Sequence, residues 1–90
     1  MSSQTEVQII NRLGLHARAA ARLVHLANGF SSAITVTKGT STVDGKSILG
    51  LLTLAASKGT RLTLSASGDD AEQALAELGK LIGDRFGEDE

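Results

Sequence analysis

His16 stands in the run Gly14-Leu15-His16-Ala17-Arg18-Ala19-Ala20, where a loop gives way to a helical pattern and an arginine follows two residues later. An imidazole is a nucleophile with a near-neutral pKa. A helix N-terminus presents backbone N–H groups without intrahelical acceptors and the positive end of the macrodipole, so it favours an anion such as phosphate. The combination suggests a histidine that carries a phosphoryl group, with the helix and Arg18 neutralising its charge. Phosphoryl transfer needs little covalent machinery, because positioning and charge neutralisation do most of the catalysis. A carrier must also release what it accepts. A few backbone N–H groups and one mobile arginine suit that better than an enclosed pocket.

The second histidine, His25, shares a polar helix face with Arg18 and Arg22, without a carboxylate or second ligand, and reads as solvent-exposed surface. No Walker-type loop, metal-ligand spacing or dinucleotide-binding glycine fingerprint occurs. The aromatic-poor strands lack the stacking residues of an RNA-recognition sheet.

The elements that must position His16 follow from periodicity. Thr5 to Ile10 alternates, with Val7 and Ile9 on one face and Glu6 and Gln8 on the other, as in a half-buried strand. Asn11 to Leu15 is a loop punctuated by Gly14. A helix is expected from Ala17 to Asn28, stopped by Gly29, with Ala20, Leu23, Val24 and Ala27 facing the core and Arg18, Arg22 and His25 facing out. Strands at Ala33–Thr37 and Ser41–Asp44 flank a hairpin signal, Lys38-Gly39-Thr40. Asp44-Gly45 turns the chain into a short helix beginning near Ser47 and reaching Ala56. Arg61 to Ser67 alternates Leu62, Leu64 and Ala66 against Thr63 and Ser65, giving the fourth strand. Asp69 is placed to cap the last helix, with Glu72 as its capping-box partner. Ala71, Ala74, Leu75, Leu78, Leu81 and Ile82 form that helix's apolar stripe.

The order β-α-β-β-α-β-α describes an α+β fold, a sheet covered by helices on one face in two layers. The strand order is open at this level, and a ferredoxin-like arrangement is compatible. Ninety residues fit one domain, spanning residues 1–90. Its core must be aliphatic, since the chain has two Phe and no Trp or Tyr. Without cysteine there is no disulfide, thiol nucleophile or thiolate metal site. The N-terminal Met1-Ser2-Ser3-Gln4-Thr5 has neither a basic nor an apolar leader region, and no stretch suits a membrane span, so a cytoplasmic protein is expected. A net charge of −1 argues against broad nucleic-acid binding. Arg12, Arg18, Arg22 and Lys46 nevertheless gather around the histidine run and a second motif, while Glu88-Asp89-Glu90 ends the chain. That distribution reads equally as a local basic patch for phosphate and an acidic partner or as ordinary solvated charge.

The second motif is Asp44-Gly45-Lys46-Ser47-Ile48-Leu49-Gly50, separated from Gly14-Leu15-His16-Ala17-Arg18 by residues 19–43. With both motifs at this separation, the chain resembles the HPr family, the histidine-containing phosphocarriers of the bacterial phosphoenolpyruvate-dependent phosphotransferase system. The resemblance runs from about Val7 to Phe86. Ala19 stands where many sugar-type members have proline; alanine there is shared by the nitrogen-branch paralogue NPr, whose output is regulatory, and some proteobacterial HPr proteins, so both branches stay open. A regulatory binding module that keeps the fold and has lost phosphotransfer is the other reading, and the intact Gly14-Leu15-His16-Ala17-Arg18 run counts against it. The resemblance implies an open-faced antiparallel sheet in the order 1-4-2-3 with three helices on one side, in a monomer without cofactor or metal. It implies that His16 accepts a phosphoryl group on Nδ1 from enzyme I and passes it to a histidine of enzyme IIA. Arg18 would be the charge partner, and Ala17 and Arg18 would supply backbone N–H groups.

Ser47 begins the second helix, where serine is a favoured N-cap. The resemblance adds regulatory phosphorylation there by the bifunctional HPr kinase/phosphorylase. The helix itself is apolar nearly all round. A short helix on a sheet buries one side. Leu51, Leu54 and Ala55 fall within one such arc, which leaves Ile48, Leu49 and Leu52 outside as a docking surface beside the reactive site.

Overall fold

The computed structural model describes residues 2–90. The elements run β1 (Ser2–Gln8), α1 (Ala17–Ala27), β2 (Ala33–Lys38), β3 (Ser41–Asp44), α2 (Ile48–Thr53), β4 (Arg61–Ser67) and α3 (Ala71–Gly83), and a 3-10 turn at Arg85–Gly87 follows. The four strands form one antiparallel sheet in the order β1-β4-β2-β3. The three helices cover one face, as expected for an open-faced sandwich; the ferredoxin-like alternative is excluded by the strand order.

Alternation decides which face is covered. Ile34 and Val36 of β2 and Leu62, Leu64 and Ala66 of β4 are buried under the helices, joined by Leu23 of α1, Leu51 of α2, and Leu78 and Ile82 of α3. Val36 lies opposite Leu64 and Ile34 opposite Ala66, so adjacent strands present their apolar side chains in register.

Several boundaries differ from the sequence expectations. β1 begins at Ser2 and ends at Gln8, not Thr5 to Ile10. Its polar start is recruited by backbone pairing, Ser2 opposite Ser67 through Gln8 opposite Arg61, which hydropathy cannot reveal. Ile9 is buried just beyond the strand, its amide donating to the Thr60 carbonyl at 2.8 Å. β2 extends to Lys38, so only Gly39 and Thr40 turn the hairpin. Helix α1 ends at Ala27 with Asn28 as C-cap in a right-handed conformation; Gly29 follows without the left-handed φ of a glycine cap. Helix α2 is shorter than expected. Leu54 caps it, and Ala55 turns to a φ of 49° and lies exposed, so Ala55 does not share the buried arc of Leu51 and Leu54.

The expected capping box is also corrected. Asp70, not Asp69, is the N-cap of α3, and its side chain does not bond the helix. Its carboxylate instead accepts from the Ser31 amide at 2.9 Å, the Ser32 amide at 3.0 Å and the Ser32 hydroxyl at 2.5 Å. The short polar chain thus ties the start of α3 to the α1–β2 loop. These three bonds, led by the Ser32 hydroxyl, hold the Asp70 carboxyl at about 2, below its usual 3.8.

Candidate functional site

The loop before α1 is pinned from several directions. Gly14 has a φ of +70°, a conformation that glycine enters without a Cβ penalty. The Leu15 amide donates to the Ala56 carbonyl at 2.8 Å, and the fully buried Asn11 donates through Nδ2 to the Gly14 carbonyl at 2.8 Å. The loop delivers His16 as the extended N-cap residue of α1, and its carbonyl accepts the first helical bond from Ala20 at 2.8 Å. The amides of Ala17, Arg18 and Ala19 therefore have no intrahelical acceptor and lie at the positive end of the dipole. Ala17 and Arg18 are exposed, and the half-buried His16 makes no side-chain cap bond.

The four cations grouped by sequence are not equivalent. Arg22 Nη1 donates to the Phe86 carbonyl, Lys46 Nζ donates to the Phe30 carbonyl at 2.8 Å, and Arg12 pairs with Glu90 at 3.7 Å. The Arg18 side chain makes no hydrogen bond or ion pair among the described residues, which leaves its guanidinium available to an anion. It lines a cleft with Arg12, Arg22 and Glu88.

The imidazole partner comes from the other end of the chain. His16 Nε2 lies 2.5 Å from Glu88 Oε2, and Glu88 Oε1 accepts from Asn11 Nδ2 at 2.9 Å. The Asn11 bond first, and the His16 bond next, hold the Glu88 carboxyl below its usual range. Neither Asn11 nor Glu88 is singled out by periodicity or by the motifs. The available signal was Phe86, one of only two aromatic residues, which is buried and anchors the C-terminal turn.

Ser47 is the N-cap of α2, and its hydroxyl accepts from the Gly50 amide at 3.0 Å. Along the same helix Leu51 is fully buried, whereas Ile48, Leu49 and Leu52 are exposed, Leu49 by 77%. Helix α2 packs against α1, the helix that begins after His16. Leu13, in the His16 loop, is also exposed. His25 is exposed on α1. Among the described residues no cluster of three His, Cys, Asp or Glu side chains could hold a metal ion, and no helix is long and apolar enough to cross a membrane.

Residues 3–84 match the family model described as the PTS HPr component phosphorylation site. The chain belongs to the HPr family. The phosphocarrier protein HPr of Neisseria meningitidis serogroup A is 49% identical over 84 residues, which cover 93% of this chain and 94% of that protein. The phosphocarrier protein NPr of Shewanella violacea is 41% identical, with coverage of 94% and 93%. The crystal structure of HPr-C-His from Thermoanaerobacter tengcongensis superposes with a TM-score of 0.94 at 44% identity, covering 98% of this chain and 99% of that one. HPr proteins are phosphocarriers, not catalytic enzymes.

Proposed function

We propose that this HPr-family chain accepts a phosphoryl group on His16 Nδ1 from phosphorylated enzyme I and donates it to a histidine of an enzyme IIA domain. The observation that carries this reading is His16 at the start of α1, beside N–H groups without intrahelical acceptors and an arginine without a partner among the described residues. On acceptance, the Nδ1 lone pair forms the N–P bond while the donor's N–P bond breaks and its electron pair returns to the donor nitrogen. Donation reverses these roles. The free helical amides and Arg18 neutralise the phosphoryl oxygens in both directions without enclosing them, which suits a carrier whose product must leave.

Ile48, Leu49 and Leu52 are the docking residues in this reading. Ser47 is the site at which the HPr kinase/phosphorylase adjusts docking. A sugar-branch HPr is favoured over the nitrogen-branch paralogue because Lys46-Ser47-Ile48 with Gly50 suits the regulatory site. We place the protein in the cytoplasm, where these partners act.

The test is incubation with phosphoenolpyruvate and enzyme I. One acid-labile phosphoryl group is expected, retained in His25→Ala and lost in His16→Ala; labelling of the His16→Ala protein overturns the assignment. Arg18→Ala folds normally and transfers roughly tenfold or more slowly, the scale of one charge-assisted hydrogen bond.

A further inference from the structure

The last residues of the chain do more than close the core. Phe86 is buried, with the Arg22 side chain on its carbonyl, and the Glu88 amide bonds the Arg85 carbonyl at 2.9 Å. Farther along, the Arg12 amide donates to the Glu90 carbonyl at 2.8 Å. These contacts fix the backbone on both sides of Glu88. Its side chain is then held between Asn11 Nδ2 at 2.9 Å and His16 Nε2 at 2.5 Å, and is only 12% exposed. Asn11 is itself fully buried and braced on the Gly14 carbonyl. An ionised carboxylate accepts hydrogen bonds and cannot donate them. The hydrogen between Glu88 and His16 therefore belongs to Nε2. In the neutral ring Nδ1 then carries the lone pair, and it has no hydrogen-bond partner among the described residues.

We infer that Glu88, braced by Asn11, is a positioning residue that locks His16 with its proton on Nε2 and so presents the Nδ1 lone pair for phosphoryl transfer. The inference rests on the phosphocarrier reading of His16. When Nδ1 attacks phosphorus, the N–P bond forms, the donor's N–P bond breaks, and the donor nitrogen keeps that electron pair. The Nε2 proton stays in place, so the ring becomes a phosphorylated imidazolium. The Glu88 carboxylate lies against the nitrogen where that positive charge develops and stabilises it. When the phosphoryl group leaves, the electron pair returns to Nδ1 and the same Nε2–H···O contact survives. One carboxylate thereby serves both directions. Arg12, Arg18, Arg22, Asp89 and Glu90 line the same cleft and are the other charged residues around Glu88.

The experiment compares the full wild-type chain with Glu88→Ala, using ring 15N chemical shifts of His16 at a pH where its imidazole is neutral, and steady-state phosphorylation by enzyme I. In the wild type, Nε2 carries the proton in a single tautomer; in Glu88→Ala the two nitrogens shift toward an averaged tautomeric mixture. With enzyme I, kcat for Glu88→Ala phosphorylation falls roughly ten- to a hundredfold, the scale of losing a charge-assisted hydrogen bond, while KM stays within about twofold. A wild-type proton on Nδ1, unchanged ring shifts in Glu88→Ala, or an unchanged kcat overturns the inference. Failure of enzyme I to phosphorylate even the wild type would instead overturn the phosphocarrier reading.

Discussion

Gly14 rests directly against the Ala56 carbonyl: a Cβ at position 14 would come within 2.6 Å of that oxygen and 3.0 Å of the Ser57 Cα. Its φ of +70° adds a conformation that other residues enter at a cost of about 1–2 kcal/mol. Both penalties fall on the loop that aims His16. Gly14→Ala is therefore expected to lose at least ~2 kcal/mol of stability in urea denaturation and to accept phosphate more slowly from enzyme I. A variant with wild-type midpoint and transfer rate would mean that the loop relaxes without moving the histidine.

Much of this arrangement was legible in the sequence, for a physical reason. Leu62, Leu64 and Ala66, or Leu23, Val24 and Ala27, repeat at the period of their element, and burial follows that period. The helix-start positions of His16 and Ser47 were legible because a helix start restricts which residues suit it. What stayed hidden lies between segments far apart in the chain. The polar residues Ser2 to Gln4 become strand only because β4 offers them a ladder partner. Asp69 and Asp70 are adjacent carboxylates, and only the position of the Ser31-Ser32 loop decides which one is used. Glu88 looked like part of an acidic end. Its partner is 72 residues away, and the anchor that brings it there is the burial of Phe86.

Neighbouring leucines on α2 should separate docking from stability. Leu49 is 77% exposed and Leu52 36%, whereas Leu51 is fully buried in the core. Leu49→Asp and Leu52→Asp are expected to weaken enzyme I binding in titration calorimetry, with stability in Leu49→Asp held within about 0.5 kcal/mol. Leu51→Ala should instead cost about 2–5 kcal/mol. Unfolding of both aspartate variants, or wild-type affinity in both, would remove this surface from the docking interface.

Acid should weaken the junction between α3 and the α1–β2 loop. The folded-state pKa of Asp70 is depressed from 3.8 to about 2, chiefly by the Ser32 hydroxyl bond. A depressed carboxyl contributes stability that is fully present above its unfolded value and is lost as pH falls through its folded value. The Tm of Asp70→Ala should thus lie below that of wild type at neutral pH. The gap should narrow as pH drops below 3.8 and disappear as it falls through about 2. Thermal melts across that range check the sign; a gap that widens in acid contradicts it.

Ser47 combines a cap with a place on the proposed docking surface. Its hydroxyl accepts from the Gly50 amide, and it adjoins the exposed Ile48 and Leu49. A phosphate there adds about −1.5 to −2 charges at a helix start, which does not oppose the dipole. The fold should survive, while the positive field that draws an acidic partner is reduced and the phosphate must be desolvated at the interface. Lys46, tied to the Phe30 carbonyl, keeps its charge beside the site, and Arg18, without a side-chain partner among the described residues, lies on α1, against which α2 packs. Ser47→Asp adds one negative charge and retains a good cap residue. Its stability should stay within about 0.5 kcal/mol of wild type. Phosphorylation of His16 should slow, and raising the enzyme I concentration should recover part of the rate, because the defect is in encounter and binding rather than at the imidazole. The deciding measurement is the transfer rate across a series of enzyme I concentrations. Superimposable curves for the two proteins, together with no labelling of Ser47 by HPr kinase and ATP, would reduce Ser47 to a helix cap and favour the nitrogen branch.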